Sequence, residues 1–144
     1  MMRHKAKVCF CLLMMAFSFP SLGKTSAAST QGAAFDWEPV IKAIIQVESE
    51  GNPKAVNANS AGILQITPIM VKDCNKILKK RNSKKRFSLS DRFDVAKSKE
   101  MFRLYQSHYN KTNDVEWAIR AWNGGLHFRK RSTQRYYEKV KRNM

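Results

Sequence analysis

The sequence has few cysteines, few acidic residues and no apolar run long enough to cross a membrane. Its three cysteines are Cys9, Cys11 and Cys74. The first two lie in an N-terminal segment that we expect to be removed, so the remaining chain has no internal disulfide. The N-terminal apolar run has 12 residues, 8–19, and is too short to span a bilayer. Sustained apolar–polar alternation and internal repeats are also absent, which favours a single all-α domain.

The N-terminus has the pattern of a secretory signal peptide. A basic start, MMRHKAK, precedes the apolar run, and small residues follow it in SLGKTSAAS. We expect cleavage after Gly23 or after Ala28. The predicted organisation is therefore a signal peptide and lead-in over residues 1–28 and a folded domain over residues 29–144, in a protein exported to the periplasm or cell envelope.

Positive charge dominates the composition of the whole sequence. The formal net charge is +16, with 27 lysines and arginines against 11 acidic residues. Such a charge attracts nucleic acid, anionic lipid or the acidic polymers of a bacterial envelope, and export favours the last of these. The run at residues 79–86 carries six cations in eight residues and is typical of a solvated loop, with an anion-binding patch as the alternative. The chain has no recognisable nucleic-acid-binding motif, so we expect no specific nucleic-acid partner.

Apolar periodicity and capping residues predict five helices. The first is expected over about residues 37–50, the second from residue 67, and the third over about 94–109. The fourth is expected over 113–124, and the fifth begins near 132. Asp36 and Thr67 are the expected N-caps of the first two helices. Asn113 and Glu116 have the spacing of a capping box at the fourth.

Two glutamates, Glu48 and Glu50, stand at the end of the first predicted helix. Successive helical residues turn by about 100°, so Glu48 lies on the apolar face with Ile41 and Ile44, and Glu50 lies on the polar face. A carboxyl group beside apolar packing and near the negative end of a helix favours its neutral form, as a general acid requires. Glu48 is therefore the candidate acid. The alternative is an ordinary boundary carboxylate that is solvated or paired with a cation.

Three separated blocks of the sequence extend this hypothesis. They are Glu48-Ser49 with Asn52-Pro53, Gly62-Ile63-Leu64-Gln65 with Thr67-Pro68, and Ala121-Trp122-Asn123-Gly124-Gly125. In this order they resemble the catalytic domain of the soluble lytic transglycosylases, relatives of goose-type lysozyme, over nearly all of residues 37–144. The resemblance implies a lysozyme-like helical domain that cuts the MurNAc–GlcNAc bond of peptidoglycan, with Glu48 as both acid and base.

The resemblance also implies the course of the reaction. Glu48 protonates the glycosidic oxygen, and its carboxylate then takes the proton of the sugar's 6-hydroxyl, which closes onto C1 to leave a 1,6-anhydro end. No metal or cofactor is required, and we expect a monomer whose partner is the glycan strand. The residues expected to bind that strand are Ser49, Asn57, Gln65, Trp122, Asn123 and Tyr136.

Several positions depart from the family pattern. Trp122 stands where Tyr is usual, which keeps an aromatic face but loses a hydroxyl. Asn57 replaces a Ser, and Ser132 replaces a Glu. Gln65 can also be read as a loop-stabilising amide, and Asn123 as a helix C-cap.

Two other functions remain open from the sequence. A hydrolytic lysozyme of the same fold would release reducing ends instead of anhydro ends. A peptidoglycan-binding component of a secretion, conjugation or phage-type machine would keep the cleft without turnover.

Overall fold

A computed structural model describes residues 34–144, and five α-helices account for most of them. The helices are α1 (Glu38–Ser49), α2 (Pro68–Lys80), α3 (Val95–Tyr109), α4 (Val115–Gly124) and α5 (Lys130–Arg142). The five predicted helices and the mainly α fold are confirmed. The predicted signal peptide and the boundary after residue 28 lie outside the described residues.

Two small elements between the helices were not predicted. Strands β1 (Val56–Asn57) and β2 (Ser60–Ala61) form an antiparallel hairpin, and a short 3-10 helix (Leu89–Phe93) precedes α3. Two residues per strand are too few to produce visible alternation, so the sequence carries no signal for this hairpin.

The predicted N-cap of the second helix is confirmed, and that of the first is wrong by one residue. The Thr67 hydroxyl accepts a hydrogen bond from the backbone N–H of Met70 at 3.2 Å. The Asp36 carboxylate accepts one from the backbone N–H of Glu38 at 2.9 Å, although Trp37 is the residue at the N-cap position.

The N-cap of the fourth helix lies one residue later than predicted. Asp114 is its N-cap and accepts a hydrogen bond from the backbone N–H of Trp117 at 3.0 Å, while Asn113 lies in the turn before it with φ of 55°. The predicted capping box of Asn113 and Glu116 is therefore wrong. Glu116 instead accepts a hydrogen bond from Arg120, one turn further along the helix.

The hydrophobic core lies where the helices meet. Ile41 and Ile44 of α1, Phe102 of α3, Ile119 of α4 and Val140 of α5 are fully buried in it. Helix α5 packs against both α1 and α4. The C-terminal end of α1 therefore lies beside the middle of α5, although the two are far apart in the chain.

The hairpin packs tightly on the 3-10 helix at Gly62. This residue has φ of 78°, and a Cβ at its position would lie 1.7 Å from the carbonyl oxygen of Arg92. The Arg92 guanidinium donates in return to the carbonyl oxygens of Asn59 at 3.1 Å and Ile66 at 3.2 Å. Gly62 is thus required by a contact within the protein. Within residues 34–144, no helix is long and apolar enough to cross a membrane.

Candidate active site

Glu48 lies at the C-terminal end of α1, at the edge of the core. Its Oε1 accepts a hydrogen bond of 2.7 Å from the hydroxyl of Tyr136 on α5. The Glu48 side chain is half-buried, whereas Glu50 is exposed and ends the helix in the left-handed conformation, with φ of 52°. The structure thus separates the two glutamates as helical periodicity predicts, with Glu48 toward the core and Glu50 in solvent.

Burial changes the acidity of Glu48. Loss of hydration raises the pKa of this carboxyl group above its ordinary value, and the hydrogen bond from Tyr136 opposes the rise without cancelling it. Burial and the neighbouring Glu48 also raise the pKa of Tyr136, so its hydroxyl keeps its proton and remains a donor. Glu48 therefore holds its proton to higher pH than an exposed glutamate does, which suits a general acid.

An open cavity of about 350 Å³ lies over Glu48. Three elements contribute its lining, which consists of Val47 and Glu48 of α1, Asn123 of α4, and Ser132, Arg135, Tyr136 and Lys139 of α5. The four residues of α5 lie on one face of that helix because they stand at positions i, i+3, i+4 and i+7. Among the described residues, Glu48 is the only carboxylate in this lining.

A second cavity, of about 470 Å³, shares Asn123 with the first. Trp122 and Tyr105 supply aromatic surface to it, and Asp73 supplies a carboxylate. The indole N–H of Trp122 donates to the carbonyl oxygen of Leu64 at 3.2 Å, which fixes the orientation of the ring. A fixed aromatic face with polar groups beside it is suited to packing against a sugar ring.

Three of the residues predicted to bind glycan line neither cavity. The Ser49 hydroxyl donates to the carbonyl oxygen of Ile63 at 2.8 Å, which ties α1 to the following loop. The Gln65 amide donates to two carbonyl oxygens of its own loop, at 2.9 and 3.2 Å. Asn57 is exposed in β1. Ser49 and Gln65 therefore stabilise the loop behind the site, and their contact with glycan stays a prediction, as does that of Asn57.

The two cavities and the half-buried Glu48 belong to a part of the chain that matches a known protein family. The family described as Transglycosylase SLT domain matches residues 26–144. The chain belongs to this family. Neither the curated proteins nor the solved structures compared with it contain a match. Membership confirms the resemblance drawn from the three sequence blocks and the lysozyme-like, mainly α fold. At the level of the family, it identifies a lytic transglycosylase-type enzyme that acts on peptidoglycan.

Sequence reasoning did not predict two residues that line the Glu48 cavity of this SLT domain. Arg135 and Lys139 both face it from α5. A signal was available, because these cations stand one and two turns after Ser132 and flank Tyr136 on the same helical face. The abundance of cations elsewhere in the chain hides this pattern.

Arg120 was also missed, and it connects α4 to α5 behind the site. Its buried guanidinium donates to Glu116 at 2.8 Å, to the Thr133 hydroxyl at 3.1 Å and to Gln134 at 2.8 Å. It also lies 4.3 Å from the centre of the Tyr137 ring. Since these last three partners belong to α5, Arg120 sets the position of the helix that carries Tyr136.

Cys74 and the acidic residues do not form a further centre in the part of the chain that the structure describes. Burial raises the pKa of the Cys74 thiol to about 12, so it behaves as a small apolar side chain. Within residues 34–144, no group of three or more His, Cys, Asp or Glu side chains is placed to hold a metal ion.

Proposed function

We propose that this SLT domain protein is an exported lytic transglycosylase that cleaves the β-1,4 bond between MurNAc and GlcNAc and leaves 1,6-anhydro-MurNAc ends. One observation carries the proposal. A half-buried carboxyl group, Glu48, is held by the Tyr136 hydroxyl in an open cavity, and burial raises its pKa. This is the environment in which a glutamate can give up a proton and then accept one.

In the proposed reaction, protonated Glu48 donates its proton to the glycosidic oxygen as the bond to C1 of MurNAc breaks. The N-acetyl oxygen of the same sugar stabilises the positive charge at C1, as in substrate-assisted glycosidases. The Glu48 carboxylate then takes the proton of the 6-hydroxyl, whose oxygen bonds to C1. The enzyme returns to its starting state, and no water is consumed.

The composition of the cavity supports a mechanism with one enzyme carboxylate. Among the described residues, no second carboxylate shares the lining with Glu48. Asp73 lines the neighbouring cavity, where its carboxylate accepts a hydrogen bond from the Tyr109 hydroxyl at 3.0 Å. A second acid placed against the reacting sugar is the usual requirement for a two-carboxylate glycosidase.

Mass spectrometry of the soluble fragments released from purified peptidoglycan tests the reaction type. We expect fragments lighter by one water than hydrolysis products, with no reducing end. Reducing fragments would instead identify a lysozyme. If no fragment is released, a peptidoglycan-binding component of an envelope machine becomes the better description.

The role assigned to Glu48 is tested by comparison with Glu50, which lies two residues further along the chain. We expect Glu48→Gln to lower the cleavage rate by roughly a thousandfold, because general acid–base catalysis contributes about 10²–10⁴. Glu50→Gln makes the same chemical change in solvent and should leave the rate nearly unchanged. Circular dichroism should show the same helix content in both variants. A Glu48→Gln protein that releases fragments at the wild-type rate would remove Glu48 from the mechanism.

We also propose export to the periplasm or cell envelope and local cutting for a secretion, conjugation or phage-type machine. The support for export is the N-terminal pattern of a basic start, an apolar run and small residues. Cell fractionation and N-terminal sequencing should find a processed envelope protein that begins at Lys24 or Ser29. A full-length cytoplasmic protein would contradict export.

A further inference from the structure

Two cations in the Glu48 cavity have no anionic partner in the described part of the chain. Arg135 and Lys139 are exposed and line the cavity, yet neither takes part in the ion pairs found within residues 34–144. The one acid of α5, Glu138, accepts a hydrogen bond from Gln134 at 2.8 Å. The wall of the cavity thus presents two positive charges to whatever enters it.

Glu48 forms no ion pair with these cations. Its hydrogen bond comes from Tyr136, and the pKa of its carboxyl group is raised by burial, whereas a close cation would lower it. Glu48 also takes part in none of the ion pairs found within residues 34–144. The positive potential at Arg135 and Lys139 is therefore available to a ligand.

We propose that Arg135 and Lys139 bind a carboxylate on the branch of the muramyl sugar and so set the substrate preference of this site. The inference rests on the proposed function. The sugar backbone of peptidoglycan is uncharged. The carboxylates of the polymer belong to the lactyl group of MurNAc or to the peptide attached to that group. The branch is attached to the same MurNAc ring whose C1 bond is cut. The carboxylates of the branch therefore lie close to the reacting centre.

The two side chains suit this ligand chemically. An Arg guanidinium can bind both oxygens of a carboxylate, and a Lys ammonium adds a compact charge beside it. Arg135 and Lys139 are one helical turn apart, and the Ser132 hydroxyl lies on the same face of α5 as a further donor. If binding is selective, affinity for the charged strand depends on Arg135 and Lys139. If it is general attraction to a polyanion, substitution of any two cations of α5 lowers the affinity equally.

The test compares two double variants with the same change of charge. Arg135→Gln/Lys139→Gln removes the cavity cations. Arg131→Gln/Lys141→Gln removes an Arg and a Lys from the same helix that are exposed and do not contribute to the Glu48 cavity. Both are made in the Glu48→Gln background, so that binding is measured on uncut ligand. Fluorescence anisotropy is recorded with labelled chitin oligosaccharides, glycan strands stripped of peptide, and strands that carry peptide.

We expect the parent protein to bind carboxylate-bearing strands at least about tenfold more tightly than chitin oligosaccharides of equal length. This ratio should fall to about one in the cavity variant and change less than about twofold in the control. A preference that includes stripped strands assigns the lactyl carboxylate, and a preference confined to peptide-bearing strands assigns the peptide.

Two results would overturn the inference: equal affinity of the parent protein for neutral and charged strands, or an equal loss of preference in both double variants. The same affinities distinguish it from the proposed function. A protein that shows the expected preference but cuts no strand would retain the carboxylate site while refuting the transglycosylase.

Discussion

The hydrogen bond from Tyr136 governs the ionisation of Glu48. The hydroxyl stabilises the ionised carboxylate and so holds the pKa of Glu48 below the value that burial alone would give. Tyr136→Phe keeps the ring and removes the donor, so this pKa should rise further. We expect the alkaline limb of the pH–rate profile to move to higher pH. The maximal rate should fall roughly ten- to a hundredfold, because a hydrogen bond to a charged group contributes about 1.5–3 kcal/mol.

The neighbouring tyrosine is the control. Tyr137 packs its ring on the Arg120 guanidinium, and its hydroxyl has no hydrogen bond among the described residues. Tyr137→Phe should leave the position of the alkaline limb unchanged. A shift of the limb to lower pH in Tyr136→Phe would contradict the role assigned to the hydrogen bond.

The same bond gives Glu48 a hydroxyl partner that does not involve position 122. The family pattern has a tyrosine at this position, and the indole lacks its hydroxyl. In this chain, Tyr136 supplies the donor to Glu48, while Trp122 donates to the carbonyl oxygen of Leu64 and presents its ring to the second cavity. Replacement of the usual tyrosine therefore leaves Glu48 with a hydroxyl partner.

At the scale of elements, the helices could be predicted because each buries one apolar face. Ile41 and Ile44 repeat at helical spacing, and Thr67 followed by Pro68 is a specific start signal that the structure confirms. The position of an N-cap is harder to predict to the exact residue, because Asn113 and Asp114 have equally suitable side chains. The outcome depended on the Asn113 backbone, which turns into the left-handed region before the helix begins.

Helical periodicity predicts the site only as far as α1 reaches, and the family resemblance adds Trp122, Asn123 and Tyr136, which line the two cavities. The position of Glu48 on the apolar face of α1 follows from the sequence, but its partner Tyr136 is 88 residues away and depends on how α5 packs. Gln65 illustrates the converse. Its residue type suits a ligand, yet its amide is used by carbonyl oxygens of its own loop, a contact that depends on the backbone turn around Gly62.

The contact between the hairpin and the 3-10 helix makes a prediction about Gly62. An added Cβ would overlap the carbonyl oxygen of Arg92, and φ of 78° is unfavourable for any residue with a Cβ. We expect Gly62→Ala to lower the free energy of unfolding by roughly 2–4 kcal/mol, as the sum of backbone strain and overpacking. Gly51 has φ of 84° but no atom within 4 Å of an added Cβ. In Gly51→Ala, backbone strain alone should therefore lower the free energy of unfolding by about 1 kcal/mol. Urea unfolding measures both, and equal losses would show that the contact with Arg92 is not limiting.

The connection between α4 and α5 makes a second prediction at this scale. Arg120 is 3% exposed and binds three side chains of α5, so Arg120→Met should lower the free energy of unfolding by about 2–3 kcal/mol. Activity should fall even where the variant is fully folded, because Tyr136 moves with α5. Arg103→Met is the control, since Arg103 pairs with Glu38 at the surface and should contribute less than about 1 kcal/mol. Loss of stability without loss of activity would show that α5 keeps its position without Arg120.

At the scale of the whole molecule, the excess of positive charge is distributed between internal contacts and solvent. In the basic run at residues 79–86, Lys85 pairs with Glu100 and Arg81 donates to the Ser107 hydroxyl, both on α3. This part of the run therefore holds the loop against α3. Arg135 and Lys139 face a cavity instead, which makes them the better candidates for binding an anionic ligand.

The raised pKa of Glu48 has a consequence for the stability of the whole protein. The folded protein holds this proton more tightly than the unfolded chain does. Proton binding by Glu48 therefore contributes its full stabilisation of the fold at pH values below the ordinary pKa of glutamate. This contribution is lost as the pH rises through the raised pKa. Once ionised, the half-buried carboxylate lowers the free energy of unfolding. Glu48→Gln keeps the shape of the side chain and removes the charge, so we expect it to increase the free energy of unfolding at neutral pH and to change it little below about pH 4. Urea unfolding at the two pH values measures this, with the exposed Glu50→Gln as the control that should show no such gain. A Glu48→Gln protein less stable than the wild type at neutral pH would mean that the hydrogen bond from Tyr136 outweighs burial, and the case for Glu48 as a general acid would lose its electrostatic basis.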